Sequence, residues 1–223
     1  MVYRLTENEL RFLLVFSEIS MLSPVEPTDP ELLEDVNSIL ESLKAKEYIF
    51  SEKNEYYLPE ELTFFMNVIR DPFAVFTIKS DYKKIWAFFK EDAIILLSKE
   101  ENYEIMWIPY IHLLIGATAS FMEPYLNTET SNEHIYEIGE LDKVRDSLIS
   151  DGYKKQYEVA VYRSQNTSST VVYEVFSNTK CQYLVYTKED KLIVNQPCKM
   201  DMVNSLTGIT AYLHSDSMKQ SID

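Results

Sequence analysis

A chain of 223 residues, 46% of them hydrophobic, can bury a sizeable core in one domain or two small ones and is too apolar to be disordered. Its formal charge of −15 repels phosphate backbones and anionic lipid surfaces, both of which are held through Lys and Arg. Two cysteines, Cys181 and Cys198, in no CxxC spacing cannot build a zinc site or a disulfide framework; a single bond between them stays open, and two buried thiols in a reducing compartment is the simpler reading.

The N-terminus, MVYRLTENEL, has neither a basic segment nor an apolar run of the signal-peptide kind, so a cytoplasmic protein is expected. Thr6 and Glu9 form a capping box that opens a helix through Leu10, Leu13, Leu14 and Phe16 to about Met21. A connector with three prolines, 23–30, leads to a second helix from Glu31, striped by Leu32, Leu33, Val36, Ile39, Leu40 and Leu43. Tyr48–Leu58 reads as a hairpin turning at Lys53-Asn54. Helices followed by a hairpin make residues 1–58 a winged-helix-like segment.

From Pro59 the pattern changes and occurs twice. The first unit, 59–126, has a helix from about Glu60 to Arg70, strands near Phe73–Lys79, Lys84–Phe89, Ala93–Ser98 and Glu104–Ile108, and a helix from Tyr110 to Met122. The second, 135–214, has a helix from about Glu140 to Ser150, strands near Tyr157–Tyr162, Thr170–Phe176, Cys181–Thr187 and Leu192–Asn195, and a helix from Lys199 to Leu213. Ser98-Lys99-Glu100-Glu101 is echoed by Thr187-Lys188-Glu189-Asp190, and Leu114-Ile115-Gly116-Ala117-Thr118 by Leu206-Thr207-Gly208-Ile209-Thr210. The same order of six elements points to a duplicated helix–four-strand–helix unit. The fold class is therefore α+β, with antiparallel sheets and packed helices. Polar residues 127–134 link the units and 215–223 is a polar tail expected to fray. The uncharged stretch Ile105–Met122 reads as a strand and a buried helix rather than a membrane span, since Pro109, His112, Gly116, Thr118 and Ser120 interrupt it.

Catalytic chemistry finds no foothold. The four glycines form no phosphate cradle, and none of the three histidines sits in an HExxH or nucleophile–base pattern. His112 reads as a core or boundary residue, His134 as a linker residue, and His214 as the end of the last helix. Paired carboxylates such as Glu91-Asp92 and Glu100-Glu101 belong to solvated turns, and Asn166-Thr167-Ser168 to a turn. No enzyme, cofactor or metal is expected. DNA binding is opposed by charge: residues 1–60 hold 13 acidic and 5 basic side chains, a net of −8.

What remains is aromatic surface. Alternation along the second unit's strands places Tyr157, Val159 and Val161 with Val171, Tyr173, Val175, Cys181, Tyr183 and Val185 on one face. The other face holds Tyr162, Val172, Glu174, Phe176, Leu184 and Tyr186, with Glu158, Ala160 and Gln182. Open to solvent, those six residues are a candidate partner-binding surface, because tyrosine-rich mixed faces suit protein interfaces; covered by helices, they are core.

The layout resembles the EspG chaperones of type VII (ESX) secretion. The residues that carry the resemblance are Leu5-Thr6-Glu7-Asn8-Glu9-Leu10, Glu47-Tyr48-Ile49, and Tyr57-Leu58-Pro59-Glu60-Glu61-Leu62 leading into Ile69-Arg70-Asp71-Pro72. The composition, rich in Lys, Glu and Tyr and poor in Gly and Ala, is that of a distant Gram-positive relative. The resemblance implies a quasi-two-fold fold and a cytosolic chaperone that keeps a helical secreted protein soluble, a WXG100-like protein or a toxin substrate. A winged-helix transcriptional regulator and an acidic immunity or antitoxin protein are the competing expectations.

Overall fold

Tyr3 and Leu5 are buried while Val2 and Arg4 are exposed, and this short alternation is already a strand, β1 (Val2–Leu5). The computed structural model describes residues 1–19, 21–23, 26–27, 35–53, 55–81, 83–122, 134–163, 166–178, 181–188, 191–196 and 199–219. Thr6 starts α1 (Glu7–Phe16) with the expected box: its hydroxyl accepts from the Glu9 amide at 3.3 Å, and the Glu9 carboxylate accepts from the Thr6 amide at 2.7 Å. The helix ends at Phe16, short of Met21, because Glu18 turns left-handed at φ 58° and the Ile19 amide donates back to the Leu14 carbonyl.

Two short strands, β2 (Met21–Ser23) and β3 (Glu26–Pro27), pair with each other. α2 (Val36–Ala45) is capped by Asp35, whose carboxylate accepts from the Ser38 amide at 3.2 Å. Its expected start at Glu31, with Leu32 and Leu33, lies outside the described residues. The hairpin β4 (Phe50–Glu52) and β5 (Glu55–Tyr57) follows, then α3 (Glu60–Arg70), which matches the expected helix.

The first meander is β6 (Ala74–Ser80), β7 (Lys84–Lys90), β8 (Ala93–Lys99) and β9 (Tyr103–Trp107), closed by α4 (Ile111–Met122). After β10 (His134–Glu137), a 3-10 turn and α5 (Leu141–Ser150), the second meander is β11 (Lys154–Arg163), β12 (Asn166–Ser177), β13 (Gln182–Lys188) and β14 (Lys191–Asn195). α6 (Lys199–Lys219) ends the described chain. All ten main strands join one antiparallel sheet in the order β1-β9-β8-β7-β6-β11-β12-β13-β14-β10, symmetric in topology about the β6–β11 pair.

The edge strands escaped the sequence reading. β1 and β10 each cap an outer end, and each runs into a capping box, Thr6 with Glu9 and Glu137 with Glu140. Residues 1–58 join the rest of the fold, since β1 hydrogen-bonds β9, and α1 and α2 share a core with α3 and the first meander. The sequon is also corrected: Asn166-Thr167-Ser168 opens β12 and pairs through Asn166 with Arg163.

Helices cover both sheet faces. On one face α4 and α6 pack together over Phe76, Ile78, Phe89, Tyr157, Val159 and Tyr173. The five-residue echo lies at this contact: Leu114 and Leu206, Thr118 and Thr210 are all fully buried. Each threonine hydroxyl donates back along its own helix, Thr118 to the Ile115 carbonyl and Thr210 to that of Leu206. α6 extends past Leu213 because Ser217 is buried and donates to the Glu91 carbonyl at 2.8 Å. His214 therefore sits inside a helix, half-buried, rather than at its end. On the opposite face α1, α2 and α3 cover the first meander, while α5 covers β12, β13 and β14.

Candidate partner-binding surface

The six residues nominated from alternation do not share one face. Ser177 pairs with Gln182 across a four-residue connection, which matches Val175 with Leu184 and Phe176 with Tyr183. Cross-strand partners point the same way, so Leu184 and Tyr186 join the α4–α6 face, whereas Phe176 stays under α5 with Tyr183 and Val185. A one-residue error in register inverts a whole strand. A second slip lies at Val172, between the Val159–Tyr173 and Ala160–Val171 pairs.

The nominated side chains are also largely enclosed. Tyr162, Glu174, Phe176 and Leu184 are buried and Tyr186 is half-buried. Helices cover this part of the sheet, the second of the two readings that alternation left open. Glu174, only 2% exposed, is the centre of a polar network. Arg145 of α5 donates to one of its oxygens at 2.6 Å and Lys155 of β11 to the other at 3.0 Å. Arg145 also reaches Asp142, and Lys155 reaches Glu158. Burial works against the charge on Arg145 and Lys155, yet their carboxylate partners raise both pKa values. The network ties α5 to the sheet.

Beside it an open cleft of about 340 Å³ separates α5 from the sheet's β10 edge. Val144 and Leu148 of α5 and Val194 of β14 line it with the tyrosines 136, 153 and 183. The rings of Tyr153 and Tyr183 meet edge-on at 5.1 Å between centroids. The Tyr153 hydroxyl and the Cys181 thiol lie 2.9 Å apart; this contact first, and burial second, push the Tyr153 hydroxyl up to about 12. Cys181 is half-buried and free, and Cys198 lies outside the described residues. Tyr136 stays open at the mouth, and Glu140, Lys143 and Asp151 form the rim.

Further apolar groups are exposed elsewhere. On the β4–β5 hairpin, Phe50 and Tyr57 stack at 5.6 Å and Lys44 lies 5.3 Å from the Tyr56 ring. At the β9–α4 junction Trp107, Tyr110 and Leu113 are open to solvent. His112, expected as a core or boundary residue, is exposed there and stacks on Tyr110 at 5.5 Å. Among the described residues no group of three or more His, Cys, Asp and Glu is placed to hold a metal, and no helix is long and apolar enough to cross a membrane.

No family model matches the chain, and no curated protein matches it. Among solved structures it is similar to the Mycobacterium tuberculosis type VII secretion system chaperone EspG5, determined in complex with a PE25–PPE41 dimer. The likeness has a TM-score of 0.67 and covers 93% of this chain and 95% of EspG5. This chain has the EspG fold. At 8% identity the two share an order of elements rather than residues, so EspG5 assigns no side chain here. Sequence reasoning missed the cleft because one wall depends on β10, whose first residue, His134, was assigned to the linker and whose other three were given no element.

Proposed function

We propose that this chain is a cytoplasmic secretion chaperone or adaptor that binds a helical region of an exported protein, WXG100-like or a toxin, and keeps it soluble until handover. The observation that carries this reading is the EspG fold, matched over nearly the whole of both chains, in a chaperone determined with its partner dimer bound. Exposed aromatic groups at the α5 cleft, the hairpin and the β9–α4 junction provide what such binding uses: a few large anchors in a polar surround. The charge of −15 keeps the chain itself soluble and favours a basic or neutral partner.

The test is a tagged pull-down from the native host, followed by reconstitution from the purified components. A one-to-one complex with an exported helical protein, which aggregates when the chaperone is left out, is the expected result. Co-purification of promoter DNA, or no exported protein bound in cells with active secretion, overturns the reading.

A further inference from the structure

The α5 cleft has the size and charge of an anchor site. Val144 and Leu148 stand one helical turn apart on its floor, and Lys143, Ser147 and Asp151 repeat at the same interval along its rim. That wall is about 12 Å long, two turns of helix. A volume of about 340 Å³ is at the low end for ligand pockets. It takes one or two large side chains and excludes a whole helix. Tyrosine edges and aliphatic floor suit an aromatic or leucine anchor.

Charge identifies what surrounds the anchor. From Glu137 to Asp151 five carboxylates stand against two cations, Lys143 and Arg145. Arg145 is tied to Glu174 and Asp142, which removes it and Asp142 from the balance. Glu140 and Asp151 against Lys143 on the lining, with Glu137 and Asp146 nearby in the chain, leave the surroundings acidic. We propose that the cleft between α5 and β10 receives an aromatic or leucine anchor from a basic amphipathic helix, with lysines or arginines a turn away against the acidic rim. This rests on the protein-binding reading above and names its site and the chemistry of its partner.

The test uses the full chain and three synthetic amphipathic helices: one with a tryptophan anchor flanked by lysines, the same helix with glutamates for the lysines, and the lysine helix with alanine for tryptophan. The lysine–tryptophan helix should bind at least about tenfold tighter than either control. Tyr136→Ala, at the open mouth, should weaken it about tenfold, and Asp151→Lys about fivefold, less in high salt. Phe64→Ser, an exposed ring of α3 over the other half of the sheet, should leave it unchanged. A photo-crosslinker at the anchor should label Tyr136, Tyr153 or α5.

Equal binding of all three helices, absence of binding, or labelling elsewhere overturns the proposal. So does a homodimer in light scattering that Tyr136→Ala disperses, which would make a second copy the occupant. If the exported partner from the pull-down binds the Tyr136→Ala chain as tightly as wild type, the cleft assignment fails and the chaperone reading stands. If no exported protein binds wild type, the chaperone reading fails whatever the synthetic helices do.

Discussion

The two halves of the sheet share a strand order but differ in what covers them on one face. Over the first meander, α1, α2 and α3 bring together 25 buried residues among those described, including Phe65, Trp86 and Phe88. Over the second, α5 alone holds six: Val144, Leu148, Phe176, Val185, Leu192 and Val194. Among the described residues each half also buries one glutamate. Glu9 is held by the Thr6 amide, the Ser42 hydroxyl and the Lys46 ammonium, all of which help fix α1 and α2 to each other and to β1. Glu174 holds α5 through Arg145 alone, with Lys155 completing the charge from the sheet side. The first half is a thick core with polar reinforcement, while the second is a single helix on a thin core with a salt bridge for a latch. Stability concentrates where apolar cover is deep, and openness to a partner where it is shallow.

The largest effect should come from the thick side. Phe88→Ala removes a fully buried ring and should cost about 3–5 kcal/mol, read as a lower urea midpoint for the whole chain. Leu148→Ala, at the edge of the thin core, should cost about 2 kcal/mol, with the loss showing first in hydrogen exchange of α5 amides. Equal protection of α1 and α5 in wild type would erase the contrast. Glu174→Gln removes the buried counter-charge of two cations, but Arg145 keeps Asp142, Lys155 keeps Glu158 and both are partly solvated, so about 1–2 kcal/mol is expected, again local to α5.

Acid sharpens the comparison. Burial raises the Glu9 pKa, but Lys46, the Thr6 amide and Ser42 together outweigh it and hold the carboxyl below its ordinary value of 4.5. Glu7 is lowered too, chiefly by its hydrogen bond from Arg11. A depressed folded pKa gives stability that is present above the unfolded value and lost as pH falls through the folded one. The first half should therefore lose stability as pH drops below about 4.5. Glu9→Gln should be less stable than wild type at neutral pH and should flatten that dependence, measured by urea denaturation across the acid range. An unchanged pH slope in Glu9→Gln would assign the acid loss to other carboxylates.

Much of this was legible before the structure. α3 and the four strands of the first meander were placed within a residue at both ends, because long apolar runs broken by charged turns such as Ser98-Lys99-Glu100-Glu101 define period and boundary together, whereas β11 and β12 begin three and four residues before their expected starts. The capping box at Thr6 was readable because its two residues lie only three apart in sequence. β1 and β10 were not: four-residue strands carry too little period, and their hydrogen bonds go to β9 and β14, about 100 and 57 residues away. The face of Leu184 and Tyr186 was misread because it depends on a four-residue turn whose length alternation alone does not fix. The cleft failed to show for the same reason as β10.

The smallest effect tests the cleft's own interior. The hydroxyl of Tyr3 is pushed to about 12 by burial and by Glu61, and that of Tyr153 to about 12, first by its contact with Cys181. Raised tyrosines keep their protons in the folded state longer than in the unfolded one, so each contributes stability below the ordinary value of 10.0 that is lost between there and about 12. Cys181→Ala removes the contact in the thin half and leaves Tyr3 in the thick half untouched. In an ultraviolet phenolate titration one tyrosine should move from the late wave toward the main one, at a cost to neutral-pH stability below about 1 kcal/mol. An unmoved late wave, which Tyr173 shares through its burial, would mean that burial and not the thiol keeps the Tyr153 hydroxyl neutral. The cleft wall would then be as dry as the deep core, and the contrast between the halves would be narrower than their apolar cover implies.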